Sequence, residues 1–353
     1  MKLAIVYDRV NKWGGAERVL LALHEIWPDA PLYTAVYNAA RAGWADVFEV
    51  HPSFLQHIPF AKNHHELFPW LTPMSFESFD FGAYDVVLSV TSAEAKDVIT
   101  KPGTTHICYC LTPTRYLWSG REEYEKAGIM GMVLRIMEST LKRWDLVAAS
   151  RPDRYIAISN HVADRIKKYY HRSVAQVIYP PVDVDTFQPG EAGDYFLCVS
   201  RLVPYKKVDV VIHAFNTLGW KLKIVGTGSQ EQYLKSIAKN NIEFLGGDLT
   251  DRELAAYYQR SRAFVSAADE DFGIVSLEAQ ACGKPVICPR ESGMAETIIP
   301  GVTGELFDTD LVRALHKVMK KRYDSTLCRT NAEKFSSSRF QKEMKEAVAR
   351  LTL

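Results

Sequence analysis

Short apolar runs bounded by polar residues recur along the 353-residue chain, with stretches of helical periodicity between them. Leu3–Tyr7 reads as a buried strand and residues 16–26 as the helix after it, with Val19, Leu20, Leu23 and Ile26 at helical spacing. Residues 85–90, 106–110 and 155–158 follow as strands, the last leading into a helix that runs through Tyr170. The pattern breaks over residues 179–195, where Pro180, Pro181, Pro189, Gly190 and Gly193 mark a linker. It then restarts. Strands at 196–200, 221–225, 243–245, 263–267 and 285–288 alternate with helices near 208–217, 230–239, 251–259 and 273–282. Such alternation predicts an α/β protein of two Rossmann-like, doubly wound parallel-sheet domains, 1–190 and 191–334. Ligands of open α/β sheets bind beyond the strands' carboxyl ends, so an inter-domain cleft is the expected site. Phe340, Met344, Val348 and Leu351 recur at spacings of four, four and three. That apolar stripe predicts a C-terminal helix, 336–353, crossing back onto the first domain.

Charge narrows the partners. Lys plus Arg (43) against Asp plus Glu (42) leaves +1, so no global field draws the chain to nucleic acid. A 47% hydrophobic share with 24% charged residues excludes a disordered chain. Six cysteines are too few for a disulfide scaffold, and Cys108 and Cys110 lack the CxxC spacing of zinc or redox sites. A reduced, cytoplasmic compartment is expected. The run at 3–7 is too short for a signal peptide and Asp8 ends it. No window reaches the roughly 18–20 apolar residues of a spanning helix; the nearest, 128–137, contains Arg135.

Candidate chemistry gathers in the second half. After the strand at 263–267, a loop carries Glu270 and a helix from about Ile274 carries Glu278, eight residues on. The amides of Gly273, Ile274 and Val275 are the open donors of a helix start, a natural anion site. Two carboxylates there serve equally as catalysts or as capping groups. Arg201 and Lys206 leave the first strand of the second half on one loop, where they either converge on a diphosphate or stay solvated. Gly226-Thr227-Gly228 is only a GxG turn, since Glu231 stands where a dinucleotide fingerprint needs its third glycine. In the first half, Gly14 and Gly15 open a helix, either for close approach to a phosphate or as a tight turn. Asp183 and Asp185 spell DxD inside the Pro-rich linker, and Asp308 and Asp310 do so in a polar turn; neither is expected to bind metal. His64 and His65 belong to an aromatic segment, 59–81, that reads more as a packed loop than as an acceptor contact. Lys167, Lys168 and Arg172 lie among tyrosines, a pattern that suits RNA or anionic lipid but reads first as a solvated helix end.

Together these segments resemble glycosyltransferase family 4 of the GT-B fold, over nearly the whole chain. EDFGIVSLEAQACGKPV matches the family's E-x-F-G-(I/L)-x-x-x-E motif with its downstream A-x-G-x-P-V, and SRLVPYKK resembles its G/S-R-L-x-x-x-K loop. GGAERV is similar to the N-terminal glycine loop. AISNHVADRIKKYY, VIYPPVDVDTF, FLGGDLTDREL and GMAETIIPGVTGELF are similar to successive landmarks, in the family's order. The resemblance implies a retaining hexosyltransferase that uses a nucleotide-sugar donor with no metal and no other cofactor. Arg201 and Lys206 would hold the diphosphate, and Glu270 the donor sugar, with Asp271, Phe272 and the backbone of Gly273, Ile274 and Val275 around it. Glu278 would hold the ribose, Gly246, Gly247, Asp248 and Leu249 would line the base pocket, and Gly14 and Gly15 would reach the phosphates or sugar.

The segment around Arg115, Tyr116 and Trp118 looks most like bacterial O-antigen and exopolysaccharide mannosyltransferases. The resemblance therefore implies GDP-mannose first, a UDP-linked donor second, and a glycan or polyprenyl-linked acceptor in lipopolysaccharide-type polysaccharide synthesis. It implies a cytoplasmic protein, with room for peripheral contact at the inner membrane, and no nucleic-acid partner. Leu111 departs from the pattern, standing where many relatives carry the histidine of H-x-P-x-R. It joins Arg115, Tyr116 and Trp118 as a candidate acceptor or sugar contact. Ser292-Gly293 likewise stands where relatives often have Gly-Gly. Two other readings share the fold. A sugar-nucleotide 2-epimerase would need further acid–base groups in the cleft and lacks the paired-glutamate motif. A non-catalytic sugar-nucleotide-binding paralogue has only Leu111 in its favour.

Overall fold

A computed structural model describes residues 1–62, 68–120 and 128–352, with side chains left out over 128–134. His64 and His65 lie outside the described residues. The chain divides into two units, Met1–Tyr179 with Phe340–Leu353, and Pro180–Arg339.

Unit 1 is built on an all-parallel seven-stranded sheet in the order β3-β2-β1-β4-β5-β6-β7. Its strands are β1 (Leu3–Tyr7), β2 (Leu32–Thr34), β3 (Val50–Pro52), β4 (Val86–Thr91), β5 (Thr105–Cys110), β6 (Arg154–Ala157) and β7 (Gln176–Val177). β1 and β4 are buried along their whole length and pair in register, Leu3 with Val86 through Tyr7 with Val90. Burial on both faces is why they read as continuous apolar runs. Helices α1 (Gly15–Ile26), α2 (Leu71–Glu77), α3 (Gly128–Ala149) and α4 (Asn160–Tyr170) accompany the sheet. The Ser159 hydroxyl caps α4 by accepting the Val162 amide at 3.0 Å. The chain's last helix, Ser337–Leu351, buries Phe340, Met344, Ala347 and Val348, and Phe340 packs on Tyr109 with ring centroids 6.0 Å apart.

Unit 2 repeats the architecture with six parallel strands in the order β10-β9-β8-β11-β12-β13. They are β8 (Tyr195–Val199), β9 (Leu222–Val225), β10 (Ile242–Phe244), β11 (Ser261–Val265), β12 (Val286–Pro289) and β13 (Gly304–Phe307). The helices are α5 (Val208–Leu218), α6 (Glu231–Ile237), α7 (Asp251–Gln259), α8 (Ile274–Ala281), α9 (Leu311–Lys320) and α10 (Ser325–Glu333). On one side of the sheet, Phe196, Ile224, Val265 and Ile287 meet Val211, Ile212 and Phe215 of α5 and Leu315 and Val318 of α9 in one buried cluster. α7 starts in a reciprocal capping box: Thr250 accepts the Glu253 amide, and the Glu253 carboxylate accepts the Thr250 amide. Strand order reverses between β8 and β11, and the loops leaving these two strands run to opposite sides, the position at which open α/β sheets bind ligands. Among the described residues no helix is long and apolar enough to cross a membrane.

Candidate functional site

Three loops close over the carboxyl edge of unit 2. The Ser200 amide donates to Val225 O (3.0 Å), Leu202 to Thr227 O (2.9 Å) and Gly226 to Gly246 O (2.7 Å). These bonds bring the loops after β8, β9 and β10 together, and with them Arg201, Gly246 and Gly247. The GxG turn makes this approach possible. A Cβ on Gly226, which has φ +140°, would stand 1.9 Å from Ser200 O, and one on Gly228 would stand 2.3 Å from Leu202 O. Arg201 is exposed and donates to the Tyr205 hydroxyl; its guanidinium lies 5.7 Å from the Tyr205 ring centre, and Lys206 Nζ lies 5.1 Å from the same ring. Tyr205 thus contacts both cations. Sequence reasoning gave it no role, although its place between Arg201 and Lys206 was the available signal.

Lys206 donates to Glu270 Oε1, and both side chains are largely buried, 12% and 15% exposed. The Glu270 peptide is held at both ends: its amide donates to Ser292 Oγ (3.1 Å) and its carbonyl accepts the Gly293 amide (2.8 Å). Gly273 then turns the chain into α8 with φ +82°, a left-handed conformation that favours glycine. The Ser276 amide is taken by Gly273 O at 3.0 Å. The Ile274 and Val275 amides have no protein acceptor among the described residues. The start of α8 therefore offers open donors on the loop that carries Glu270. Glu278 lies deeper, only 3% exposed, and its Oε2 accepts the Tyr258 hydroxyl at 3.1 Å. Asp248 is exposed and Leu249 partly so, on the loop that follows Gly246 and Gly247.

In unit 1, Gly14 precedes α1 with an extended φ of 176°, which any residue adopts, and Gly15 is the first helical residue. A Cβ on Gly14 would lie 3.1 Å from Glu17 Oε2, and Glu17 is itself buried, accepting the Tyr7 hydroxyl at 2.6 Å. Leu111 is buried at the end of β5 and donates its amide to Thr91 O at 2.8 Å. Tyr116 donates to Glu94 Oε1 (2.7 Å), Trp118 Nε1 donates to Asp145 Oδ2 (2.6 Å), and the Arg115 carbonyl accepts the amides of Trp118 and Gly120.

These partners belong to a buried ionic network that the sequence did not reveal. Arg9 pairs with Glu94 at 2.6 Å, and Lys96, 1% exposed, donates to Asp145 (2.6 Å), Ala93 O (2.6 Å) and Thr114 Oγ1 (3.2 Å). Burial pushes the neighbouring Asp97 carboxyl up to about 8, against the pull of Lys96. His106, fully buried against the Ser89 hydroxyl at 2.8 Å, is held down to about 3 by burial and then by Arg151.

The remaining polar motifs have local partners. Asp183 Oδ1 accepts the amides of Asp185 and Thr186, both at 3.0 Å, Asp308 pairs with Arg290, and Asp310 caps α9. Arg172 donates to Pro152 O at 2.6 Å, and Lys168 lies over the Tyr169 ring. Among the described residues no group of three or more His, Cys, Asp or Glu side chains is placed to hold a metal ion.

Residues 185–335 match the family model for glycosyl transferases group 1. The chain is 31% identical over 164 residues to an uncharacterized glycosyltransferase of Methanocaldococcus jannaschii, covering 45% of this chain and 46% of that protein. It is also 31% identical over 190 residues to a GDP-mannose-dependent alpha-(1-6)-phosphatidylinositol monomannoside mannosyltransferase of Mycolicibacterium smegmatis, covering 45% and 50%. The chain spans about half the length of these curated relatives. Among solved structures, it superposes on Anabaena HepE in complex with UDP and glucose with a TM-score of 0.74 at 18% identity, covering 99% of both chains. Sucrose-phosphate synthase from Thermosynechococcus elongatus gives 0.76 at 15% identity, again covering 99% of both. The two parallel sheets therefore form a GT-B fold.

Proposed function

We propose that this chain is a retaining glycosyltransferase of family 4 that moves a hexose from a nucleotide-sugar donor to a glycan or lipid-linked acceptor. One observation carries the reading: Lys206, on the loop after β8 that also bears Arg201, meets Glu270 on the loop after β11, which leads into the open amides of α8. A diphosphate leaving group gains negative charge as the glycosidic bond breaks, and donors fixed in place beforehand stabilise that charge. Arg201 and Lys206 hold the diphosphate, with Gly14 and Gly15 adding backbone contacts. Glu270, beside Asp271 and Phe272, faces the sugar; Glu278 takes the ribose; Gly246, Gly247, Asp248 and Leu249 take the base. The departing phosphate accepts the acceptor's proton on the face where the sugar is attacked, which retains configuration. With two cations on the diphosphate, no metal is required.

GDP-mannose is the first donor to try, since the mycobacterial relative is described as GDP-mannose-dependent. A UDP-linked hexose is the second, because the HepE structure contains UDP and glucose. Leu111, Arg115, Tyr116 and Trp118 contribute on the acceptor side. The setting is cell-surface polysaccharide synthesis on the cytoplasmic face of the membrane. The test is a panel of GDP- and UDP-hexoses in EDTA, read by thermal shift and by nucleoside diphosphate release. One donor raising the melting temperature and slowly releasing its diphosphate supports the reading. Conversion of a donor into its 2-epimer without acceptor would replace it with the epimerase.

A further inference from the structure

The loop bearing Glu270 rests on the turn that follows β12, and this turn carries Ser292 and Gly293. Ser292 is 4% exposed, and its hydroxyl oxygen accepts two amides, Glu270 at 3.1 Å and Met294 at 3.3 Å. Its neighbour Gly293 donates to Glu270 O at 2.8 Å. Consecutive residues of one turn thus hold both polar groups of the Glu270 backbone. The fit leaves no slack. A Cβ on Gly293 would stand 2.1 Å from Asp271 O and 2.9 Å from Glu270 O, and one on Gly273 would stand 2.7 Å from Met294 Cε.

The turn is itself anchored. Thr297, 1% exposed, lies 3.0 Å from the Ser276 hydroxyl of α8, and its carbonyl accepts Gln280 Nε2 (3.1 Å) and Asn331 Nδ2 (2.8 Å). Both ends of α8's first two turns are therefore tied to the segment that Ser292 begins.

We propose that Ser292 is a positioning residue: its hydroxyl, with the Gly293 amide beside it, fixes the Glu270 peptide so that the carboxylate is presented at Lys206. A glycine at 292 has no side-chain oxygen, so the Glu270 amide would lose its acceptor, and the loop would keep only the Gly293 bond. A carboxylate on a four-bond side chain moves by more than its peptide does, and a displacement near 1 Å is enough to lower catalysis strongly.

The kinetic arm of the test rests on the proposed role of Glu270; the exchange arm does not. Ser292→Ala and Ser292→Gly are compared with wild type and with Ser292→Thr, which keeps the hydroxyl. Amide exchange at Glu270 should accelerate about fivefold or more in the alanine and glycine variants and return towards wild type in threonine. Transfer kcat should fall about tenfold or more, with nucleoside diphosphate Kd changing less than about twofold. Unchanged exchange at Glu270 overturns the clamp. Faster exchange with wild-type kcat overturns the positioning role. Loss of kcat, nucleotide affinity and melting temperature together assigns Ser292 to general stability and also overturns it. Absence of nucleotide binding in wild type, with exchange responding as expected, removes the glycosyltransferase reading and leaves the clamp standing.

Discussion

Lys206 and Glu270 meet across the gap between the loops after β8 and β11, each shielded to 15% exposure or less. The pairing places the cation proposed for the diphosphate on the carboxylate proposed for the sugar. A bound diphosphate and Glu270 therefore compete for one ammonium group. Glu270→Gln removes the competitor and should tighten nucleoside diphosphate binding by about two- to fivefold, as expected for release of a partly shielded ion pair. The same variant should lower transfer kcat more than it raises donor KM, because the carboxylate meets positive charge that develops only in the transition state. Weaker nucleotide binding in Glu270→Gln, measured by calorimetry, would show that the pair supports the phosphate site instead.

Glu278 should behave differently, because its surroundings are different. It is buried in α8 and takes the Tyr258 hydroxyl from α7. The ribose hydroxyls proposed as its ligand do not change during the reaction, so Glu278→Gln should mainly raise donor KM. Tyr258→Phe removes one hydrogen bond and should lower stability by about 1 kcal/mol. A kcat loss confined to Glu278→Gln, on folded protein, would reverse the assignment of the two carboxylates.

The segments that carry the proposed site stand out in the sequence because they follow strands that announce themselves. Phe196, Leu197 and Cys198 form an apolar run, and Arg201 and Lys206 lie on the loop that follows it. β2 and β3 were not legible: three residues each give no period to read, and β3 contains His51 and Pro52. α2 was hidden by Pro73 in its first turn. The ionic network of unit 1 escaped for another reason. Lys96 and Asp145 are 49 residues apart, and the run 92–97 looks like an ordinary polar turn until the fold buries it. In the sequence Gly226 shows only a failed fingerprint, because the carbonyl it must avoid belongs to Ser200, on another loop.

The network makes stability depend on pH. Asp97 is pushed up to about 8, so between the ordinary carboxylate range near 4 and about 8 the folded protein holds a proton that the unfolded chain has lost. Its contribution is fully present below about pH 4, falls as pH rises through this window, and is level above it. Asp97→Asn removes the titration. The melting-temperature difference, variant minus wild type, should therefore grow from pH 5 to pH 8 and then flatten; a difference independent of pH would contradict the assignment.

All six cysteines are buried, and burial holds the thiols of Cys198, Cys282 and Cys328 up at about 12. The thiolate is the reactive form. Iodoacetamide at pH 8 should leave the native protein unmodified by mass spectrometry and add six groups after denaturation. Rapid labelling of the native protein would show that one of these sites opens.

Calorimetric titration with GDP and UDP in the presence of EDTA tests directly whether the two cations after β8 hold a diphosphate. Wild type should bind at least one of them without metal. Arg201→Ala and Lys206→Ala should each weaken that binding by about tenfold or more, since a charge-assisted hydrogen bond contributes roughly 1.5–3 kcal/mol. Equal affinity in wild type and both variants, or binding that appears only when Mg²⁺ or Mn²⁺ is added, would contradict it.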